Sequence, residues 1–243
     1  HHEGFALWPS AYGDFNTKNF IAGRDLVEEY VTACRNTGMK VGFYYSPPDW
    51  RWCRNYMSFN YRSRFWPEDW AKKHPDAYSL VPQETWDENW RVRGPVEKMP
   101  KEKEIEFARY VRGQILELLS NYGKIDIVWF DGNPFETLMP VTVDEIRSAQ
   151  PGILINPRLH GTVDFATPEN RIPKKKPEGW WEGCFIWNRG SWGYSACERY
   201  ETTGWFLDIL ARHRTWDGNL LMNCAPRPDG EMPDTYYQRM TEL

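Results

Sequence analysis

Apolar residues fall along the chain in two patterns that take turns. Leu26, Val27, Tyr30, Val31 and Cys34 recur at the spacing that lines one face of a helix, and Gly38 follows as a terminator. An unbroken run, Val41-Gly42-Phe43-Tyr44-Tyr45-Ser46, comes next and stops at Pro47-Pro48. A run of this length ended by prolines predicts a short buried strand. The order then repeats. Ile105, Ala108, Val111, Ile115, Leu118 and Leu119 predict a helix ending at Tyr122-Gly123, and Ile125-Asp126-Ile127-Val128-Trp129-Phe130 a strand closed by Asp131-Gly132. A third round predicts a short helix over 143–150 and a strand over 153–156. Near the end, a helix is predicted over 205–213 and a strand over 220–223.

Helix, glycine, buried strand and polar loop in repetition is the grammar of parallel βα units. The strands lack the polar alternation of a sheet with one wet face, as parallel strands covered on both sides should. The fold class expected is α/β, a (β/α)8 TIM-like barrel, with an open doubly wound sheet as the alternative. No Gly-x-Gly-x-x-Gly follows a strand, which counts against the nucleotide-binding version of the open sheet. Two stretches break the rhythm. Residues 49–103 form a long connection rich in Trp, Arg and Pro; a loop of this length in a compact domain is usually functional or disordered, and its aromatics argue for order. Lys174-Lys175-Lys176 reads as a solvated surface turn.

Composition narrows the function. The 243 residues are 41% hydrophobic and carry a net charge of −4 without a basic face, so nucleic acid is a poor partner. No apolar run approaches the roughly 20 residues a membrane helix needs. Fourteen Trp, 13 Tyr and 12 Phe make the chain 16% aromatic. Aromatic rings fill cores, but their faces also stack on sugars. Five cysteines, Cys34, Cys53, Cys184, Cys197 and Cys224, match no zinc or redox spacing and read as mostly buried free thiols. The histidines are too scattered for a metal site, and no Gly-x-Ser-x-Gly marks a serine hydrolase.

In parallel barrels the chemistry sits where strands end. Tyr45-Ser46 with Asp49-Trp50, Trp129 with Asp131, Asn156 with Arg158, and Asn223 stand at the predicted ends. Asp131, directly after an apolar strand, is costly to bury without a task, although an Asp before Gly also starts turns. Glu169 and Glu182 follow on later segments. A retaining glycosidase needs two carboxyls about 5–5.5 Å apart, one ionised and one protonated.

These motifs together resemble glycoside hydrolase family 29, the α-L-fucosidases. His1-His2-Glu3-Gly4-Phe5 with Leu7-Trp8-Pro9-Ser10 is similar to that family's signature after the second barrel strand. Gly42-Phe43-Tyr44-Tyr45-Ser46 with Asp49-Trp50 resembles its third strand, and Trp129-Phe130-Asp131-Gly132 its nucleophile strand. Asn156-Pro157-Arg158, Trp181-Glu182, Ser191-Trp192-Gly193-Tyr194 and Leu220-Leu221-Met222-Asn223 resemble its later blocks, in order. The resemblance implies hydrolysis of terminal α-L-fucose from glycans by a retaining double displacement, without cofactor or metal. By it, Asp131 is the nucleophile and Glu169, in Thr167-Pro168-Glu169, the acid/base, with Glu182 as rival. His1, His2, Tyr45, Trp129 and Arg158 match positions that hold the sugar hydroxyls and the carboxylates, and Trp192 one that lines the wall by the fucose methyl. A secreted, periplasmic or lysosomal-type compartment is favoured on the same ground.

The same alignment of motifs implies departures. The first strand and most of the second have no counterpart here, and no C-terminal β-sandwich follows Leu243. The expectation is a partial barrel, residues 1–243, that is aggregation-prone alone because it leaves unpaired strand edges. A sugar-binding or inactive barrel, or a retaining glycosidase for another sugar, are the alternative functions. Nitrophenol release from aryl α-L-fucosides and α-galactosides separates them.

Overall fold

A computed structural model describes residues 2–49, 51–53, 98–189, 191–196 and 199–243. His1, Trp50 and Cys197 lie outside the described residues, as does most of the long aromatic connection expected over 49–103. The chain divides into two compact units, His1–Ile153 and Leu154–Leu243.

The first unit holds the short helix α1 (Thr17–Phe20), α2 (Leu26–Asn36), β1 (Gly42–Tyr45), α3 (Lys101–Asn121), β2 (Ile127–Phe130) and α4 (Val143–Ala149). Asp25 caps α2 by accepting from the Glu28 amide, and Thr142 with Glu145 forms a capping box on α4. Strands β1 and β2 pair in parallel, with Tyr44 opposite Trp129 and Tyr45 opposite Phe130. Asp126 sets that register from below: its carboxylate accepts from the Val41 amide at 3.0 Å. Gln150 supports the same end. Its side-chain nitrogen donates to the carbonyls of Leu119 and Gly123, and its oxygen accepts from the Ile125 amide at 3.1 Å. One buried amide thus satisfies the carbonyls left over at the end of α3 and the first amide of the strand segment.

Because side chains alternate along a strand, β1 and β2 have two distinct faces. Phe43, Tyr45, Val128 and Phe130 are buried on one of them. Phe43 packs edge-on against Tyr122, and the Tyr45 hydroxyl donates to Gln114 of α3 at 2.9 Å. Tyr44 and Trp129 stack on the other face, ring centroids 5.8 Å apart.

The second unit holds β3 (Leu154–Ile155), the short helix α5 (Pro157–His160), β4 (Phe165–Ala166), β5 (Trp180–Ile186), α6 (Thr203–Thr215), β6 (Asn219–Asn223) and α7 (Asp234–Glu242). Strands β4, β5 and β6 form a parallel sheet in that order. Pattern reading located β6 and α6 to within a residue or two. It passed over β4 and β5. The former is two residues long, and Trp180-Trp181-Glu182-Gly183-Cys184 interrupts its apolar run with a carboxylate and a glycine. His213 of α6 is fully buried, stacked on Trp181 and edge-on to Phe185. Gly183 lies between those two residues in β5, and a Cβ there would come 1.9 Å from the His213 ring. The strand therefore requires glycine where it meets the imidazole.

Lys174, Lys175 and Lys176 are exposed, as expected of a surface turn, and Lys176 pairs with Asp217 at 2.5 Å. Cys34, Cys53 and Cys184 are buried. Cys224 is free and exposed. No helix among the described residues is long and apolar enough to cross a membrane.

The packing of β5 on α6 generates a stability prediction. Gly183→Ala drives a methyl into a ring held on both sides by aromatics, so it destabilises the fold by about 1–3 kcal/mol or more. Gly193→Ala, where nothing lies within 4 Å, is the control and stays near wild type. Denaturant midpoints of the two variants check this.

Candidate active site

Asp131 follows the last residue of β2, and its amide donates to the Tyr45 carbonyl at 3.0 Å, extending the β1–β2 ladder by one bond. That bond sets Ser46 beside Asp131, on the face that carries Tyr44 and Trp129. The Tyr44 hydroxyl donates to Asp131 Oδ2 at 2.5 Å. His2 Nε2 lies 3.2 Å from the same oxygen. The other ring nitrogen of His2, Nδ1, is 2.6 Å from Ser46 Oγ, and the Ser46 hydroxyl donates to the Pro48 carbonyl at 2.6 Å. A carboxylate at a strand end is thus oriented by a phenol and an imidazole.

Three buried or part-buried carboxylates fasten the segments around it. Glu117 of α3 accepts from Trp8 Nε1 at 2.8 Å, Ser10 Oγ at 2.6 Å and the Ala11 amide at 2.8 Å. This holds the segment that follows His2. Glu104, near the start of α3, accepts from the amides of Glu136 and Thr137 at 3.0 Å each and from the Thr137 hydroxyl at 2.9 Å. It holds the loop that follows Asp131. Burial pushes the Glu104 carboxyl up, but those hydrogen bonds outweigh burial and leave it below the usual glutamate range. Asp49, 4% exposed, accepts from the Trp52 amide at 2.8 Å and the Tyr110 hydroxyl at 3.2 Å, and burial raises its carboxyl. Gly4 has φ +78°, and a Cβ on it would meet the Asp49 carboxylate at 2.4 Å. Only glycine lets the chain beyond His2 turn past that carboxylate.

The second unit carries the other carboxyl named from the sequence. Asn156, fully buried, precedes α5, and Arg158 projects from its first turn. Arg158 Nη1 lies 2.7 Å from Glu169 Oε2, while its Nε donates to the Thr167 hydroxyl at 3.2 Å and its Nη2 to the Thr167 carbonyl at 3.3 Å. Glu169 itself bridges in parallel to Cys184 of β5, with the Pro168 carbonyl accepting from the Cys184 amide at 2.9 Å. Arg158, Thr167, Glu169, Arg171 and several prolines line an open cleft of about 620 Å³. Glu182 lies elsewhere in this unit. It stands near the start of β5, 8% exposed, accepting from the Asn219 side chain at 2.6 Å. Trp192 is partly exposed on the segment after β5.

The structure therefore brings together two groups of the residues named from the sequence: His2, Trp129 and Asp131 in the first unit, Arg158 and Glu169 in the second. Tyr45 does not join the first group. It is 2% exposed, its hydroxyl is committed to Gln114, and burial raises its phenol well above the ordinary tyrosine range. Its neighbour Tyr44 is the one on Asp131. Strand parity carried that signal: Trp129 and Asp131 share a face, and in a paired parallel strand the matching face is that of Tyr44 and Ser46. Glu104 and Glu117 were missed because nothing local distinguishes them from helix-surface glutamates.

The alpha-L-fucosidase family model matches residues 1–243. Human plasma alpha-L-fucosidase is 26% identical over 262 aligned residues, covering 100% of this chain and 48% of its own length. Among solved structures, alpha-L-fucosidase isoenzyme 1 from Paenibacillus thiaminolyticus superposes with a TM-score of 0.74 at 32% identity, covering 100% of this chain and 56% of that one. A GH29 alpha-L-fucosidase from Bacteroides thetaiotaomicron, described as a trapped covalent intermediate with 2-fluoro-fucosyl fluoride, shares the fold. Its TM-score is 0.74 at 22% identity, over 99% of this chain and 54% of that one. The chain spans about half the length of the curated relatives it matches.

The bonds to Glu104 generate a pH prediction. A carboxyl held low in the folded state stabilises it above the unfolded-state glutamate range, and that contribution is lost as pH falls through the folded value. Glu104→Gln is therefore destabilised at neutral pH by roughly 1.5–3 kcal/mol, the worth of a hydrogen bond to a charged group. The gap to wild type narrows as acid protonates Glu104. Denaturant melts of both proteins at neutral and acid pH measure the gap.

Proposed function

This chain belongs to the alpha-L-fucosidase family over residues 1–243, and we propose that it serves in the hydrolysis of terminal α-L-fucosides by a retaining, double-displacement mechanism. The observation that carries this reading is the Asp131 carboxylate at the end of β2, with Tyr44 and His2 both on Oδ2. We read residues 1–243 as the central part of a (β/α)8 barrel, in keeping with their span of about half the relatives' length. Parallel βα pairing in each unit and the likeness to GH29 structures support that architecture. Activity is accordingly to be measured on the natural full-length protein. The substrate class is a fucosylated glycan or glycoconjugate.

In the first step Asp131 attacks the anomeric carbon as the bond to the leaving oxygen breaks, and that oxygen takes the proton of Glu169. In the second step water attacks the same carbon and gives its proton to Glu169, and Asp131 departs as a carboxylate. Tyr44 and His2 orient the attacking carboxylate, so Tyr44 takes the part first expected of Tyr45. Trp129, stacked under Tyr44, offers an apolar wall on the same face. Glu169 is favoured over Glu182 because it lines the cleft beside Arg158, whereas the Glu182 carboxylate is buried against Asn219. His1 and Trp192 keep the sugar-contacting parts that family resemblance gives them.

Substitutions test each of these roles. Asp131→Gly lowers turnover of an aryl α-L-fucoside by about 10⁴-fold or more, with partial rescue by azide. Tyr44→Phe costs about 10–100-fold through loss of one hydrogen bond to a charged group, while Tyr45→Phe costs about 1 kcal/mol of stability and leaves turnover near wild type. Equal losses of activity from the two tyrosine variants would count against the assignment of Tyr44. The acid/base is tested by leaving group. Glu169→Ala slows release of fucose from natural glycans by about 10²–10⁴-fold but spares activated aryl fucosides at the first step, since a phenolate leaves with little protonation. If Glu182→Ala shows that pattern and Glu169→Ala does not, the role moves to Glu182.

A further inference from the structure

The hydrogen bonds around His2 determine which of its nitrogens carries a proton. Ser46 has one hydroxyl hydrogen and is 2% exposed. Its oxygen lies 2.6 Å from two atoms, the Pro48 carbonyl oxygen and His2 Nδ1. A carbonyl only accepts, so the contact to Pro48 requires the Ser46 hydrogen; without it, two oxygens would face each other bare at that distance. The hydrogen in the second contact must then come from the imidazole. His2 donates from Nδ1 to Ser46.

We infer that Ser46 is a positioning residue that holds His2 in its Nδ1–H form, so that His2 bonds to Asp131 only as an imidazolium. With Nδ1 already protonated, neutral His2 turns the bare lone pair of Nε2 toward Asp131 Oδ2, 3.2 Å away, and the two repel. A second proton converts the contact into a charge-assisted hydrogen bond. Among the described residues, the titratable groups that the structure sets at this contact are Asp131 beyond β2, 3.2 Å from Nε2, and Tyr44 of β1, which donates to the same oxygen; Asp49 lies against the following Gly4, with the charge of Arg51 acting on it.

The inference rests on Asp131 being the nucleophile only for its kinetic consequence, and the two are separable. The direct readout is ring-nitrogen NMR of the full-length protein carrying ¹⁵N-labelled histidine, with the His2 signals assigned by their loss in His2→Gln. At a pH where His2 is neutral, wild type shows the Nδ1–H tautomer, the minor form of a free imidazole. Ser46→Ala removes the acceptor and reverts His2 to Nε2–H, while Ser46→Thr keeps the hydroxyl and the wild-type tautomer. In the parallel assay, kcat/KM for an aryl α-L-fucoside shifts about tenfold in Ser46→Ala and stays near wild type in Ser46→Thr. An Nε2–H tautomer in wild type overturns the inference outright, as does a Ser46→Ala spectrum unchanged from wild type. Should Ser46→Ala not fold, the wild-type and Ser46→Thr tautomers decide it alone. Wild type with the Nδ1–H tautomer but no fucosidase activity would instead overturn the proposed function and leave the inference standing.

Discussion

The register of β1 against β2 is the constraint on which the candidate site depends. Side chains alternate with a period of two, so a slip of one residue would exchange every side chain between the two faces. With Tyr44 opposite Trp129, the face that ends in Asp131 also carries Tyr44 and Ser46, and Tyr45 goes to the helix side. Asp126 at one end of the pair, through the Val41 amide, and the Asp131 amide at the other, through the Tyr45 carbonyl, hold that register. The surroundings of Asp131 are therefore set by backbone pairing before any side chain around it makes a contact.

Around this pair the chain spends carboxylates as fasteners. Glu117 takes three donors from the segment 8–11, Glu104 takes three from 136–137, and Asp49 sits where the absence of a side chain on Gly4 leaves room. Each is a buried or part-buried anion matched by several neutral donors, the arrangement that makes burial of a charge tolerable. Their common effect is to fix two loops that approach Asp131 from opposite directions in sequence. Loops held this way keep a donor such as His2 at hydrogen-bond distance without needing a regular element beneath it.

The second unit uses a different device. Arg158 makes contacts to Thr167 and Glu169 from one planar group, so a single guanidinium orients both a loop and a carboxylate. Glu169 gains a further restraint from its backbone bridge to Cys184. Glu182, only two residues before Cys184, has its carboxylate turned to Asn219 at the start of β6. Two glutamates close in sequence thus come to occupy different surroundings.

The sequence alone determined the parallel βα alternation, the positions of α2, β1, α3, β2, α4, α6 and β6, and the candidacy of Asp131, because apolar periodicity and strand ends are local signals. The ordered set of motifs extended this to the family and to Arg158 and Glu169. What it could not decide were matters of facing and pairing. Tyr44 and Tyr45 are identical in composition and adjacent, and only strand pairing tells which of them meets Asp131. Glu104 and Glu117 look like surface glutamates until the loops they hold are folded over them. Strand β5 escaped notice because Gly183 answers to His213 thirty residues later, and Glu182 to Asn219. These are contacts between residues far apart in the chain, and a one-dimensional pattern carries no information about which distant residue a side chain will meet.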